Sequence, residues 1–449
     1  MSQGFVWRKT GSVMNGLTGG TVFLLCAITA LMPSARSQQI YRLDRERAET
    51  MLETVSSDVR KYYFDAKLHG LDWDALVRET KQRIDQAPNI TVANADIEAL
   101  LENLDDSHTN FFPSPNAVTA DYGWRFKVVG NRSLVTEVHA KSDAESKGML
   151  PGDEVLTIDG FAVDRVGAKK LEYAMNLMPR SSLQLVLRDP AGKILRLTVN
   201  SDVHRHGVIT NLSGSSWYIT EIMMKREDAW LKERAQYKDL GPDLMVLKVP
   251  AFFQTGLDVD EIFKKARAHK TLIVDLRGCP GGRSDSLNDY LGDIFNHEVK
   301  LGGLVQRNKV TPAVVKGRGV FSGNLIVLID SETASAGEIF SRVVQLQERG
   351  TIIGDHSSGH TMESEVYVHS TGQNPRYVYG DSITIADTVM ADGKSLEHIG
   401  VEPDRTFLPK AADIAAGRDP VLAYAAELAG VTLSPEDAAK VLPPKRPEE

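Results

Sequence analysis

The chain has 449 residues, 42% of them hydrophobic and 25% charged, with a formal net charge of −8 at pH 7. Those proportions are ordinary for globular protein, and the length admits two or three domains with a large core. A net-negative chain without a Lys/Arg-rich run offers no surface for phosphate backbones, which excludes nucleic acid as a partner.

Residues 1–37 read as a secretion signal. Arg8 and Lys9 form a positive start, the apolar run Val22 to Met32 is short for a bilayer span, and Ala35-Arg36-Ser37 offers small residues for cleavage. Export to a periplasm or the cell exterior is the expectation, and an uncleaved membrane anchor is the competing reading. Removal of the signal takes Cys26 with it and leaves Cys279 alone, so neither an intrachain disulfide nor a thiolate metal cluster is expected.

Segment 39–115 is helical in character. Leu43, Ala48, Met51, Leu52, Val55 and Val59 recur at helical spacing, as do Leu76, Val77 and Ile84, then Ile97, Leu100 and Leu101. A bundle of three or four helices is predicted, ending in the polar turn Leu104-Asp-Asp-Ser-His-Thr109. His108 in that turn is a surface or structural residue unless a partner gives it work. In 120–202 the pattern changes to short strands, at Ser133 to Val138, Glu154 to Ile158, Leu183 to Leu187 and Ile194 to Val199, interrupted by a helix from Ala168 to Met178. Ala144-Glu-Ser-Lys-Gly148, Leu150-Pro-Gly-Asp-Glu-Val155 and Ile158-Asp-Gly160 resemble a PDZ domain, a module that adds a peptide strand to its own sheet edge. A small β domain without a peptide groove reads the same way.

Residues 203–243 read as a linker or hairpin insertion. From 244 to 410 short apolar strands alternate with helices: Met245 to Val249, Leu272 to Leu276, Leu325 to Ile329 and Thr351 to Ile353, against Asp258 to Ala268, Ser286 to Phe295 and Ala336 to Gln347. The remainder, 411–449, is predicted to hold a helix at Pro420 to Leu428 and a disordered charged tail from Pro443. The fold class is therefore α/β in an α+β multidomain arrangement.

Within the last domain, Leu325 to Leu346 runs from buried strand through a turn of small residues into a helix. Ser335 falls where strand becomes helix. Backbone N–H groups point outward there and the helix dipole favours an anion, so an attacking hydroxyl and a developing oxyanion both fit; an ordinary capped helix start fits as well. Asp275-Leu-Arg-Gly-Cys-Pro-Gly-Gly282 follows another buried strand. Gly281 and Gly282 can aim their amides at one spot, with the Ala336 amide as a third donor; a tight turn reads the same way, and the loop lacks the Gly-Lys-Ser/Thr ending of a phosphate-binding loop.

Taken in order, the Asp-Ser-His-Thr turn, the PDZ-like segment, Asp-Leu-Arg-Gly-x-Pro-Gly-Gly, Thr-Ala-Ser-Ala-Gly-Glu and Gly400-Val-Glu-Pro-Asp404 resemble the S41-type serine peptidases, the carboxy-terminal processing and tricorn-type enzymes. The resemblance implies a crotonase-like ββα catalytic domain with Ser335 as nucleophile. It offers two bases. The processing branch carries a lysine directly after a Gly-x-x-x-x-Gly run; here Gly354 to Gly359 is followed by His360, and Lys394 belongs to the Asp-Gly-Lys segment instead. The tricorn-like branch takes its base from the histidine after the helical lead-in and orients it with a glutamate before Gly-Val-x-Pro-Asp, positions that match His108 and Glu397. A serine hydroxyl needs a base with pKa near working pH, and an imidazole needs an acidic partner to hold its tautomer. His360 is the alternative base, and His356 reads as loop surface.

The sequence shows no His/Asp/Glu set with metal-ligand spacing, so no metal and no cofactor is expected. The partners expected are polypeptide substrates, their termini held by the PDZ-like domain. The leading function is an exported serine endopeptidase acting on unfolded or C-terminally exposed chains. A catalytically inactive ligand- or peptide-binding protein, as in relatives of the eye's retinoid-binding protein, and a PDZ scaffold are the alternatives.

Overall fold

The computed structural model describes residues 42–113, 118–205, 234–372 and 377–442. The signal reading of 1–37, most of the 203–243 segment and the tail from Pro443 lie outside them. Among the described residues no helix is long and apolar enough to cross a membrane.

The strands Leu244–Lys248, Thr271–Asp275 and Asn324–Ile329 are almost wholly buried apolar runs, as expected for parallel strands covered on both faces. They form the centre of a six-stranded sheet in the order Gln236–Asp239, Leu244–Lys248, Thr271–Asp275, Asn324–Ile329, Thr351–Gly354, Arg405–Thr406, parallel except for the first pair. Side chains alternate between the faces. Leu247, Val274 and Val327 join a core with the helices Gly256–Ala266, Ser284–Ile294 and Ala336–Leu346, through Phe263, Leu291 and Phe340. Val246, Ile273 and Leu328 face the other way, onto Val421, Leu422 and Ala425 of the helix Pro420–Leu428. Two boundaries thus differ from the sequence reading: Gln236–Asp239, read as linker, is an edge strand of this sheet, and the helix at 420 covers its second face.

A second sheet is built from Asn110–Phe112, Tyr377–Met390, Val299–Gln306 and Lys309–Val315, with Glu363–Thr371 also pairing to Tyr377–Met390. The sequence gives little sign of it, because the long strand places Gly380, Asp381 and Thr384 in its buried stretch and so breaks any apolar alternation. Onto this sheet pack the helices Arg42–Tyr62, Trp73–Gln86 and Ile90–Leu101. Met51, Val55, Ile97 and Leu100 share one core with Phe111, Tyr379 and Ile383, so the helices do not close a bundle of their own.

Residues 118–205 form a third unit. Its sheet runs Trp124–Val129, Arg132–Val138, Glu154–Ile158, Ser182–Arg188, Ile194–Asn200, with the helix Gly167–Leu177 over a core of Val135, Val155, Leu171 and Leu183. Trp124–Val129 lies at the sheet edge and docks on the parallel sheet. Ser331 Oγ donates to Val128 O at 2.5 Å, Gly130 N donates to Asp355 at 2.7 Å, Arg165 pairs with Asp355 at 2.7 Å, and Lys127 pairs with Asp330 and Glu332.

Candidate active site

The turn after Asn324–Ile329 is organised by one carboxylate. Asp330 Oδ1 accepts from the amides of Gly278 at 2.9 Å, Glu332 at 3.0 Å and Thr333 at 3.1 Å, and so stitches the glycine loop to the turn before Ser335. Ala334 N donates to Cys279 O at 2.9 Å, a second stitch. Arg277 anchors the glycine loop from behind, with Nη1 and Nη2 on Asp419 at 2.9 and 2.8 Å. Burial pushes the Cys279 thiol up to about 12, so that side chain is packing rather than chemistry.

Ser335 has φ 50° and ψ −119°. An ordinary N-cap residue sits in the β region, whereas this conformation is costly for any residue with a Cβ, which separates Ser335 from a plain capped helix start. Its amide donates to His360 O at 2.8 Å and to Glu338 Oε2 at 3.1 Å. Gly281 and Gly282 have φ of 104° and 144°. The backbone of Gly281 lies against the serine: a Cβ there would stand 2.5 Å from Ser335 Cβ and 3.0 Å from Ala336 N. Gly281 thus brings the glycine loop up to Ser335 and Ala336, while Gly282 packs on the Phe252 backbone.

His108 is placed by a separate loop. Asp106 Oδ1 accepts from the amides of His108 at 2.9 Å and Thr109 at 2.7 Å and from Thr384 Oγ1 at 2.6 Å, which pins the loop to the strand Tyr377–Met390. His108 Nδ1 lies 2.6 Å from Ser107 Oγ, and Ser107 N donates to Glu397 Oε1 at 2.8 Å. Glu397 therefore reaches the imidazole through Ser107. Its other oxygen accepts from Thr361 N at 2.8 Å, next to His360. A continuous hydrogen-bonded path runs from Ser335 through the His360–Thr361 backbone to Glu397, Ser107 and His108.

Two residues that the sequence reading left without a role complete the frame. Glu338 is fully buried, and its carboxylate accepts from Ser357 Oγ at 2.6 Å, Gly359 N at 2.7 Å, His360 N at 2.8 Å and Ser335 N. Burial pushes its carboxyl up while those four donors pull it back. The signal was present as the last residue of Thr333-Ala-Ser-Ala-Gly-Glu338. His398 Nε2 lies 2.6 Å from Asp105 O and backs the His108 loop. His356 turns toward Glu402 at 3.8 Å, and Lys394 sits in the turn that its carbonyl closes with Met390 N at 2.8 Å.

A serine at a strained strand-to-helix turn, a glycine loop against it and a histidine held by a separate loop are parts that serine-type peptidases use. Residues 243–407 match the model for peptidase family S41, so the chain carries a family S41 peptidase domain. Tricorn protease homolog 1 of Streptomyces coelicolor is 23% identical over 430 residues, 88% of this chain and 36% of that protein. Carboxyl-terminal-processing peptidase 3, chloroplastic, of Arabidopsis thaliana is 20% identical over 401 residues, 84% of this chain and 71% of that protein. The chain thus spans about a third of the tricorn homologue and about seven tenths of the plant peptidase. Among solved structures, mature CPAF superposes with a TM-score of 0.62 at 15% identity, over 83% of this chain and 94% of that one.

Proposed function

We propose that the chain is an exported serine endopeptidase that hydrolyses peptide bonds of unfolded or C-terminally exposed proteins, with Ser335 as nucleophile and His108 as base. The observation that carries this reading is the relay from Glu397 through Ser107 to His108 Nδ1. Ser107 Oγ against Nδ1 fixes the imidazole, and Nε2 is assigned the serine proton in this reading. The alkoxide attacks the scissile carbonyl, and the amides of Gly281, Gly282 and Ala336 meet the oxyanion that forms. His108 then returns its proton to the leaving amine, and a water molecule hydrolyses the acyl-enzyme by the same two steps in reverse roles. His360 supports the site through its backbone, holding Ser335 N and donating to Glu338. Export rests on residues 1–37 of the sequence.

Residues 118–205 fit a PDZ-type recruiter: Trp124–Val129 is an edge strand of their sheet, and a peptide adding to it would displace the contact of Val128 O with Ser331. That role predicts faster cleavage of long substrates with a free C-terminal carboxylate than of their amidated forms; equal rates reject it.

The central test is labelling with a fluorophosphonate together with casein hydrolysis. Wild type should label and Ser335→Ala should not; no labelling and no cleavage would favour the inactive binding protein. Ser335→Ala and His108→Ala should each cost at least about a thousandfold in kcat/KM, and the double variant little more than either, while His360→Ala keeps most activity. Loss in His360→Ala with retention in His108→Ala would transfer the base to His360. An imidazole base also places a single rising limb of kcat/KM near neutrality, whereas a limb above about pH 9 would implicate a lysine.

A further inference from the structure

Away from the serine, three residues far apart in sequence meet between the helical layer and the second sheet. Asp58 is on the helix Arg42–Tyr62, His369 on Glu363–Thr371 and Asp381 on Tyr377–Met390. The register pairs His369 with Tyr379 and Asp381 with Tyr367, so His369 and Asp381 are diagonal neighbours on one face of the sheet. His369 Nε2 lies 2.8 Å from Asp58 Oδ2 and 3.4 Å from Asp381 Oδ1, and one donor atom from each residue falls within 4.8 Å of the others.

These groups approach without satisfying one another. Asp381 is fully buried, and its two carboxylate oxygens, Asp58 Oδ2 and His369 Nε2 have no hydrogen bond of good geometry, although His369 approaches both carboxylates. Lys61 acts on Asp58 through space, below the effect of burial on that carboxylate. Two carboxylates around one imidazole, which balances at most one of them when protonated, are expensive to bury. A divalent cation removes that cost by balancing both charges and giving each orphaned atom a partner.

We propose that Asp58, His369 and Asp381 form a binding site for a divalent metal ion, zinc by preference. One imidazole nitrogen and two carboxylate oxygens form a donor set that zinc accepts, with the fourth position left to water. The spacing agrees: ligands at about 2.1 Å around a tetrahedral zinc stand roughly 3.4 Å apart, so the 3.4 Å pair is in place and the 2.8 Å pair opens by about half an ångström. Sequence spacing hides the site, because the ligands come from a helix and from two strands more than 300 residues later. The ion clamps the first helix to the strand whose Asp381 is in register with Phe111, three residues beyond His108. It supports the platform of the proposed base and takes no part in the chemistry at Ser335.

The test uses the full-length chain without an affinity tag, stripped with a chelator and then dialysed against Zn²⁺ or Co²⁺. We expect one metal per chain by elemental analysis, visible Co²⁺ absorption of a low-symmetry site, and a zinc-dependent rise in Tm of roughly 5 °C. His369→Gln and Asp381→Asn should each lose the bound metal and the Tm response. Metal content far below one per chain with an unshifted Tm in wild type overturns the proposal, whether or not the variants fold. Undiminished stoichiometry in the folded double variant overturns it too, by placing the ion elsewhere.

Discussion

Ser335 illustrates how one residue can carry a cost that its neighbours meet. Its positive φ costs of order 1–3 kcal/mol for a residue with a Cβ, and glycine would escape most of that cost. Comparing two inactive variants isolates the strain, since both lack the hydroxyl: Ser335→Gly should unfold at higher temperature than Ser335→Ala, by about 1 kcal/mol in stability. Equal or reversed Tm values would mean that the elbow is unstrained. Glu338 is what holds the strained turn in place. Replacing it by Gln turns one oxygen into an N–H₂ group facing the N–H donors that oxygen accepted, so Glu338→Gln should cost about 2–4 kcal/mol in urea denaturation and lower kcat more than it raises KM. A variant as stable and active as wild type would remove Glu338 from the frame. The serine and both glycines stood out in the sequence because they lie in contiguous motifs. The role of Glu338 was not, since its partners at 357 to 360 return to it only through the fold.

At the scale of elements, the runs of apolar residues that make the parallel sheet were readable, and the second sheet was not, since buried polar residues interrupt its long strand. The way units dock was also absent from the sequence. Lys127 is an ordinary charged residue on an edge strand until the fold sets it against Asp330, the carboxylate that shapes the turn before Ser335. Burial alone would lower its pKa, but Asp330 and Glu332 outweigh burial and raise it, so the ammonium stays charged. Removing one member of a largely buried pair leaves the other charge unmet. Lys127→Met should therefore destabilise the protein by about 3 kcal/mol and slow hydrolysis of short peptides, and adding Asp330→Asn, which keeps the Oδ1 acceptor, should restore part of the loss. A neutral Lys127→Met would show the contact to be incidental.

Across the whole molecule, the helical layer, the second sheet and the 118–205 unit meet at Phe111, just beyond His108. Glu98 of the helix Ile90–Leu101 accepts from Phe111 N at 2.6 Å, and Tyr173 of the helix Gly167–Leu177 donates to Phe111 O at 2.7 Å. The two ends of one peptide residue are thus held by two different units. Burial pushes the Glu98 carboxyl from its ordinary 4.5 up to about 8, with Glu102 and Asp106 adding to the rise and the Phe111 amide opposing it. The folded state therefore binds a proton that the unfolded chain has already released. Between about pH 4.5 and 8 that difference makes the stability contributed by Glu98 fall as pH rises; it is fully present below the unfolded value and gone above the folded one. Glu98→Gln keeps an acceptor for Phe111 N and has no proton to lose, so its contribution should be flat through this window. Thermal unfolding followed from pH 5 to 9 should show wild type losing ground to Glu98→Gln, by a few kcal/mol at the alkaline end. Parallel curves for the two proteins would mean that Glu98 ionises as freely in the fold as in water, and that the junction at Phe111 does not feel its charge.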